Sequence, residues 1–302
     1  MKTLKLILAS LLISLVTAAN AFDPGTKPVQ VIIPFAPGGG VDQTFRHLQK
    51  YAAQKNILLV GIYKPGAEGL IAMSELVSQP KDGYHVSLTT AAVISYFRMR
   101  NPSTDVLPIT GIRHPIMSVV ASTKSNIKTF DDLEQAIKNG DKIAVGYGAP
   151  AQKLFLNQLT DFTKTKHQPL LIPYKGAGPV VNDLVAGHID VAVVPYSVSK
   201  SNVTSGKLNL LAISSREKLQ GINSVIIEQR YPQWQAFDGF ALIVSNGTNA
   251  EAVKWWSDFM QEYLNDPQVK KDFIADSTFA SEFGTNTLEK TIKASIIRLQ
   301  KE

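Results

Sequence analysis

The chain has 302 residues, of which 44% are hydrophobic and 19% are charged, and it contains no cysteine. This composition is typical of a globular protein that is long enough for one large domain or for two lobes with their own cores. The absence of cysteine excludes disulfide-stabilised folds, zinc–thiolate sites and cysteine catalysis.

The first 21 residues have the pattern of a secretory signal peptide. Lys2 and Lys5 form a basic start, an apolar run extends from Leu6 to Val16, and residues 19–21, "ANA", form a small-x-small cleavage site. The apolar run is too short to span a bilayer well, and no later segment reaches 18 uninterrupted apolar residues. We therefore expect a soluble protein that is exported to the periplasm.

The remaining chain is mildly basic, with 29 Lys and Arg residues against 25 Asp and Glu residues. This balance is compatible with anionic ligands, but it is more typical of plain solubility. No dense run of Lys and Arg with interleaved aromatic residues occurs, so nucleic acid is a poor candidate partner.

Short apolar runs alternate with helical patterns along the chain. Strands are predicted at residues 29–33, 57–60, 85–88, 117–121, 143–145, 170–172, 191–194, 210–213 and 240–244. Helices are predicted from about residue 42, around 70–77, 154–162 and 180–185, and twice after residue 250. This alternation predicts an α/β fold with parallel strands and helices on both faces.

Two lobes would have to be joined by crossing strands, because no low-complexity linker is found. We expect the crossings near Ser118–Ser122 and Phe237–Val244. Lobe 1 would then comprise residues 22–118 and 238–302, and lobe 2 residues 119–237.

The segment "VIIPFAPGGGVDQ", residues 31–43, joins the first predicted strand to the first predicted helix. At such a junction the first helical N–H groups lack intrahelical partners and the helix dipole is positive, which favours an anion. Gly38, Gly39 and Gly40 are consecutive, which matches neither a P-loop nor the dinucleotide motif. Three glycines favour close approach of a ligand, whereas a tight turn needs one or two. Asp42 is expected to cap the helix.

Two later junctions have the same character. Residues 144–155, "AVGYGAPAQKLF", contain Gly146 and Gly148, and Pro150 suits the first turn of a helix. Residues 173–184, "PYKGAGPVVNDL", contain Lys175 and two further glycines. Together the three junctions predict a cleft that closes on one small anion.

The sequence offers no catalytic or metal-binding constellation. It lacks a G-x-S-x-G elbow and an H-E-x-x-H motif. The histidines are scattered and are expected at the surface or in strands: His47, His85, His114, His167 and His188. We therefore expect neither an enzyme nor a bound metal or other cofactor.

Four segments resemble one family of transport receptors. They are "PVQVIIPFAPGGGVDQTFRHL", "YKPGAEGLIAMSELVSQPKDGYHVSL", "IPYKGAGPVVNDLVAGHIDVAVVPY" and "SGKLNLLAISSREK". Their order and content are similar to those of the solute receptors of tripartite tricarboxylate transporters, also called Bug receptors. The resemblance covers nearly the whole mature chain. It implies a two-lobed periplasmic-binding-protein fold of type II, with mixed, mostly parallel sheets flanked by helices and a ligand cleft between the lobes.

The resemblance also implies the site. In the family a small carboxylate is held by backbone groups between the first loop and the second lobe. The matching positions in the first lobe are Phe35, Ala36, Gly38, Gly39, Thr89 and Thr90. Those in the second lobe are Gly146, Tyr147, Gly148, Ala149, Tyr174, Lys175, Pro195, Tyr196 and Ser197.

Two departures from the family pattern concern this site. Lys153 stands about where the family has a His in its second-lobe loop, and Glu68 replaces a glycine of the "RPGAGG" turn, which here reads "KPGAEG". A lysine in the pocket would favour a second negative charge on the solute, whereas Tyr147 would favour a flat or apolar one.

These features predict a monomeric receptor that closes by hinge motion on a small carboxylate and delivers it to membrane permease subunits. Two alternatives stay open: a sensory subunit that presents its bound state to a membrane kinase, and a small periplasmic enzyme with an acidic substrate. The enzyme is disfavoured because no nucleophile–base pair can be nominated.

Overall fold

A computed structural model of the chain describes residues 22–103, 105–164, 167–215, 222–234, 239–276, 278–279 and 284–300. The expected signal peptide, residues 1–21, lies outside the described residues. Among the described helices, none combines the length and apolar character that crossing a bilayer requires.

Strands and helices alternate along most of the described chain. The strands are β1 Val29–Ile33, β2 Leu59–Tyr63, β3 His85–Thr90, β4 Val106–Pro115, β5 Met117–Ser122, β6 Ala144–Tyr147, β7 Leu170–Pro173, β8 Val191–Pro195, β9 Leu208–Ser214, β10 Val225–Ile226, β11 Phe240–Ser245 and β12 Thr278–Phe279. The α-helices are α1 Gly40–Ala53, α2 Leu70–Ser78, α3 Ala91–Arg100, α4 Phe130–Asn139, α5 Pro150–Thr163, α6 Ala177–Ala186, α7 Tyr196–Thr204, α8 Ile227–Arg230, α9 Ala250–Asn265, α10 Pro267–Ala275 and α11 Thr285–Leu299.

The strands form two six-stranded sheets, in the orders β12–β4–β11–β3–β1–β2 and β10–β9–β5–β8–β6–β7. The expected α/β fold with two mixed sheets flanked by helices is confirmed. Parallel pairs join β1 to β2 and β3, β6 to β7 and β8, and β9 to β10. Every antiparallel pair involves β4, β5 or β11. These strands carry the chain between the sheets, which is why the parallel share is smaller than the sequence indicated.

The passage from the first sheet to the second lies at Ile116, between β4 and β5. The crossing was expected near Ser118–Ser122; these residues follow the passage directly and pair with β8 and β9 inside the second sheet. On the return, residues 240–244 belong to β11 of the first sheet, and residues 237–238 lie outside the described residues. We call the parts of the molecule built on the two sheets lobe 1 and lobe 2.

Helices of the two lobes also pack on each other. Ala92 and Tyr96 of α3 form one apolar cluster with Leu154 of α5 and Leu299 of α11. Beside this cluster, the Arg298 guanidinium of α11 donates to the Asp161 carboxylate of α5. The lobes are thus in contact on α3, α5 and α11 as well as at the loops described next.

Candidate functional site

A cavity of about 340 Å³ lies between the two lobes. Its volume is at the lower end of the range of about 300–1,000 Å³ that small-molecule sites occupy. Loops of both lobes contribute to its wall: Pro34, Phe35, Gly66, Ala67, Glu68 and Gly69 from lobe 1, and Tyr147, Gly148, Ala149, Pro150, Pro173, Tyr174 and Lys175 from lobe 2. These are the strand-to-helix junctions that the sequence singled out, together with the turn after β2.

The glycine loop between β1 and α1 packs directly against the loop between β7 and α6. The Ala36 N–H donates to the Lys175 carbonyl oxygen at 2.7 Å. A Cβ on Gly178 would lie 3.0 Å from the Pro37 carbonyl oxygen. The two lobes therefore meet backbone to backbone at this edge of the cavity.

At two of the three consecutive positions the structure shows why glycine is needed, and the reason differs between them. Gly38 has a φ of +86°, in the left-handed region that L side chains rarely adopt. A Cβ on Gly40 would lie 2.9 Å from the Phe240 ring and 3.2 Å from Pro195. The glycine run thus serves a turn and close packing at the junction of the lobes.

The anion expected at the start of α1 is supplied by the chain itself. The Asp42 carboxylate accepts hydrogen bonds from the Gly38 N–H at 2.8 Å, from the Arg46 guanidinium at 3.0 Å and from the Tyr63 hydroxyl. Gly39 occupies the N-cap position, so the expectation that Asp42 caps the helix from that position was wrong. Burial raises the pKa of Asp42, but these hydrogen bonds and the Arg46 charge outweigh it, and the pKa lies below its ordinary value.

Asp42→Asn is expected to lower the free energy of unfolding by about 1–3 kcal/mol at neutral pH. The folded-state pKa of Asp42 is depressed, so its contribution is present above the unfolded pKa of about 4 and is lost as the pH falls through the folded pKa. Urea unfolding of both proteins from pH 7 down to about pH 2.5 measures this difference.

Asp258→Asn is the control, because Asp258 forms an exposed i,i+4 ion pair with Lys254. Such pairs contribute about 0–1 kcal/mol. A difference between wild type and Asp42→Asn that stays constant from neutral pH into acid would contradict this account of Asp42.

The second junction, from β6 to α5, is organised in the same way. The Gly148 N–H donates to Gln152 Oε1, in the first turn of α5. A Cβ on Gly148 would lie 2.3 Å from the Gly176 carbonyl carbon, so the two lobe 2 loops are in backbone contact. Ala149 is the N-cap residue of α5 and Pro150 follows it. Both line the cavity, so the positive end of the α5 dipole lies at its wall.

The third junction contributes Tyr174 and Lys175. The Tyr174 hydroxyl donates to Asp183 Oδ2 at 2.7 Å, which fixes the ring at the wall. Burial and this hydrogen bond raise the pKa of Tyr174 to about 12. Lys175 is exposed and is a basic residue of the cavity lining.

The structure brings part of the predicted site together. Six of the predicted residues line the cavity: Phe35, Tyr147, Gly148, Ala149, Tyr174 and Lys175. Ala36, Gly38 and Gly39 instead lie at the contact between the lobes, where a Cβ on Gly39 would be 3.6 Å from the Ala177 nitrogen. Gly146 is buried behind the wall against Ile189 and Val180.

The other predicted residues do not line the cavity. Thr90 caps α3 by accepting from the Val93 N–H, and Thr89 is fully buried in β3. Lys153 lies on α5 beyond the wall. The residues predicted at the distal end of the ligand, Pro195 and Tyr196, are buried, and the Tyr196 N–H donates to the Ile116 carbonyl at the crossing between the sheets. Ser197 also lies outside the cavity lining.

The turn after β2 was not among the predicted site residues. Residues 66–69 line the cavity, and Glu68 is their charged member. The signal was present in "KPGAEG", where a glutamate stands at a position that the family fills with glycine. Three prolines also line the cavity although they were not predicted to do so: Pro34, Pro150 and Pro173. Each is adjacent in sequence to a predicted site residue.

Residues 44–296 match the family model of the tripartite tricarboxylate transporter family receptor. The chain belongs to this family. It is 25% identical to Protein BugT of Bordetella pertussis over 260 residues, which cover 82% of this chain and 80% of BugT. The resemblance that the sequence motifs indicated is confirmed.

Solved structures show the same fold. A periplasmic transporter matches this receptor with a TM-score of 0.80 at 25% identity, over 91% of this chain and 95% of that one. The periplasmic binding protein BugD matches with a TM-score of 0.80 at 22% identity, over the same shares. The receptor is therefore a two-lobed, extracytoplasmic solute-binding protein, and its family and fold indicate a binding function rather than an enzymatic one.

Proposed function

We propose that this receptor binds a small organic carboxylate in the cavity between its lobes and delivers it to the membrane permease subunits of a tripartite tricarboxylate transporter. The observation that carries the proposal is the cavity itself, whose wall is contributed by both lobes. A solute in this position contacts both lobes at once, so its binding energy favours the arrangement in which the lobes meet. The permease then recognises that arrangement.

The charge of the wall supports a carboxylate. The N-terminal end of α5 contributes positive potential to the cavity, and Lys175, whose side chain is exposed, is one of the lining residues. Two related proteins of the same fold were solved with carboxylates, one from R. palustris with adipate and one from Rhodopseudomonas palustris with malate. Micromolar affinity needs about 8 kcal/mol, which a few charge-assisted hydrogen bonds of about 1.5–3 kcal/mol each supply.

We also propose that the protein is exported and that it catalyses no reaction. Residues 1–21 are removed as a signal peptide, and the mature protein acts in the periplasm as a monomer without cofactor. It releases its solute unchanged.

A thermal-shift screen tests the proposed function. The ligand-stripped mature protein is scanned with monocarboxylates, dicarboxylates, tricarboxylates, amino acids and aromatic acids. A ligand at 100 times its Kd adds about 2.7 kcal/mol, which raises the melting temperature by a few degrees. A selective shift for one class of carboxylate is expected, and a flat response to every carboxylate at millimolar concentration would contradict the proposal.

A further inference from the structure

Glu68 is a charged residue on the cavity wall in an unusual backbone conformation. It has a φ of +55°, and the preceding Ala67 has a φ of +46°. Two successive non-glycine residues in the left-handed region cost conformational free energy that glycine would avoid. Strain of this kind at a binding cavity suggests that the Glu68 side chain has a role there.

The carboxylate of Glu68 is weakly neutralised by the protein. Within the described residues it accepts no hydrogen bond, and its ion-pair partner is Arg100, with Nη1 3.8 Å from Oε2. The Arg100 side chain is 55% exposed and also lies over the Tyr96 ring. The Glu68 side chain is 30% exposed, so the pair is partly open to water, and at 3.8 Å Arg100 offsets the negative charge of Glu68 only in part.

The charge of Glu68 acts across the cleft. Of the described lining residues, Glu68 and Lys175 carry the formal charges, one from each lobe. Burial raises the pKa of Tyr147 in lobe 2, and the negative charge of Glu68 in lobe 1 raises it further. The wall therefore has an acidic position on lobe 1 opposite a basic position and a helix N-terminus on lobe 2.

We propose that Glu68 makes this cleft selective for a solute that carries an ammonium group as well as a carboxylate. This inference rests on the proposed function, since the carboxylate end would be held on the lobe 2 side. A dicarboxylate would place its second negative charge near Glu68, whereas an aminocarboxylate would place a cation there. Specificity then arises from repulsion of the wrong solute as well as attraction of the right one.

Isothermal titration with matched solute pairs tests the inference. β-Alanine and succinate, γ-aminobutyrate and glutarate, and δ-aminovalerate and adipate differ within each pair only by ammonium in place of one carboxylate. For at least one pair, we expect wild type to bind the aminocarboxylate about tenfold or more tightly than the dicarboxylate. Glu68→Gln keeps the side-chain shape without its charge, and should shift this ratio about tenfold toward the dicarboxylate.

Glu75→Gln is the matched control, because Glu75 lies on the neighbouring helix α2, pairs with Lys64 at 3.5 Å and does not line the cavity. It should leave the ratio unchanged. The inference alone is overturned if wild type prefers the dicarboxylate in every pair, if Glu68→Gln shifts the ratio no more than Glu75→Gln does, or if only carboxylates outside these pairs bind. If no carboxylate of any class binds wild type or the variants, the proposed function fails and the inference fails with it.

Discussion

Gly178→Val is expected to weaken carboxylate binding at least about 100-fold while both lobes stay folded. Gly178 lies in the first turn of α6, and a Cβ there would be 3.0 Å from the Pro37 carbonyl oxygen and 3.4 Å from the Gly38 carbonyl carbon. The methyl groups of valine extend further toward lobe 1. They would separate the two loops and break the hydrogen bond from the Ala36 N–H to Lys175.

Titration with the tightest carboxylate of the thermal-shift screen measures this effect, and circular dichroism checks the fold. Gly284→Val is the control, because a Cβ on Gly284 meets no atom of the described residues within 4 Å and its φ is −61°. Wild-type affinity in Gly178→Val would show that the contact between these loops is not needed for binding.

Trp256→Ala is expected to lower the free energy of unfolding by about 3–5 kcal/mol. Trp256 is fully buried on α9, and its Nε1 donates to the Gly83 carbonyl at 2.9 Å. It also packs edge-on against Trp255 and Phe259. The substitution removes a large apolar side chain from the lobe 1 core and leaves a buried carbonyl without its donor.

Urea unfolding measures the loss in free energy of unfolding for Trp256→Ala, and Trp255→Ala serves as the control. Trp255 is the adjacent, half-buried residue, stacked on Phe259 at 4.8 Å. Trp255→Ala should cost less than half as much as Trp256→Ala, because it leaves a smaller cavity. Equal losses in the two variants would contradict the assignment of Trp256 to the core.

The regular elements could be predicted from local sequence because their signals are local. The β-branched run at residues 29–33 is strand β1, and the apolar run at residues 191–194 lies in β8. The apolar periodicity of residues 253–264 matches the buried face of α9. Each of these patterns arises because one face of a helix, or one or both faces of a strand, is buried. Residues close together in sequence are enough to show such a pattern.

The lining of the cleft could be predicted only in part, because it depends on contacts between distant segments. The glycine junctions were located correctly, but the Gly38 N–H is taken by Asp42, four residues away. Tyr196 is buried where the chain crosses between the sheets, a position fixed by the pairing of β5 with β8. Lys153 was predicted to line the cleft because it aligns with a histidine of the family. It lies on α5, after Pro150, the residue of that helix that lines the cavity.

Isothermal titration of one carboxylate and its uncharged primary amide tests the central claim most directly. The amide keeps nearly the same shape and removes the negative charge, so it isolates the contribution of the α5 N-terminus and Lys175. We predict micromolar binding of the tightest carboxylate of the screen and at least about 30-fold weaker binding of its amide, the loss of about 2 kcal/mol of charge-assisted hydrogen bonding. Equal affinity for acid and amide would contradict the assignment of this cleft as a carboxylate site.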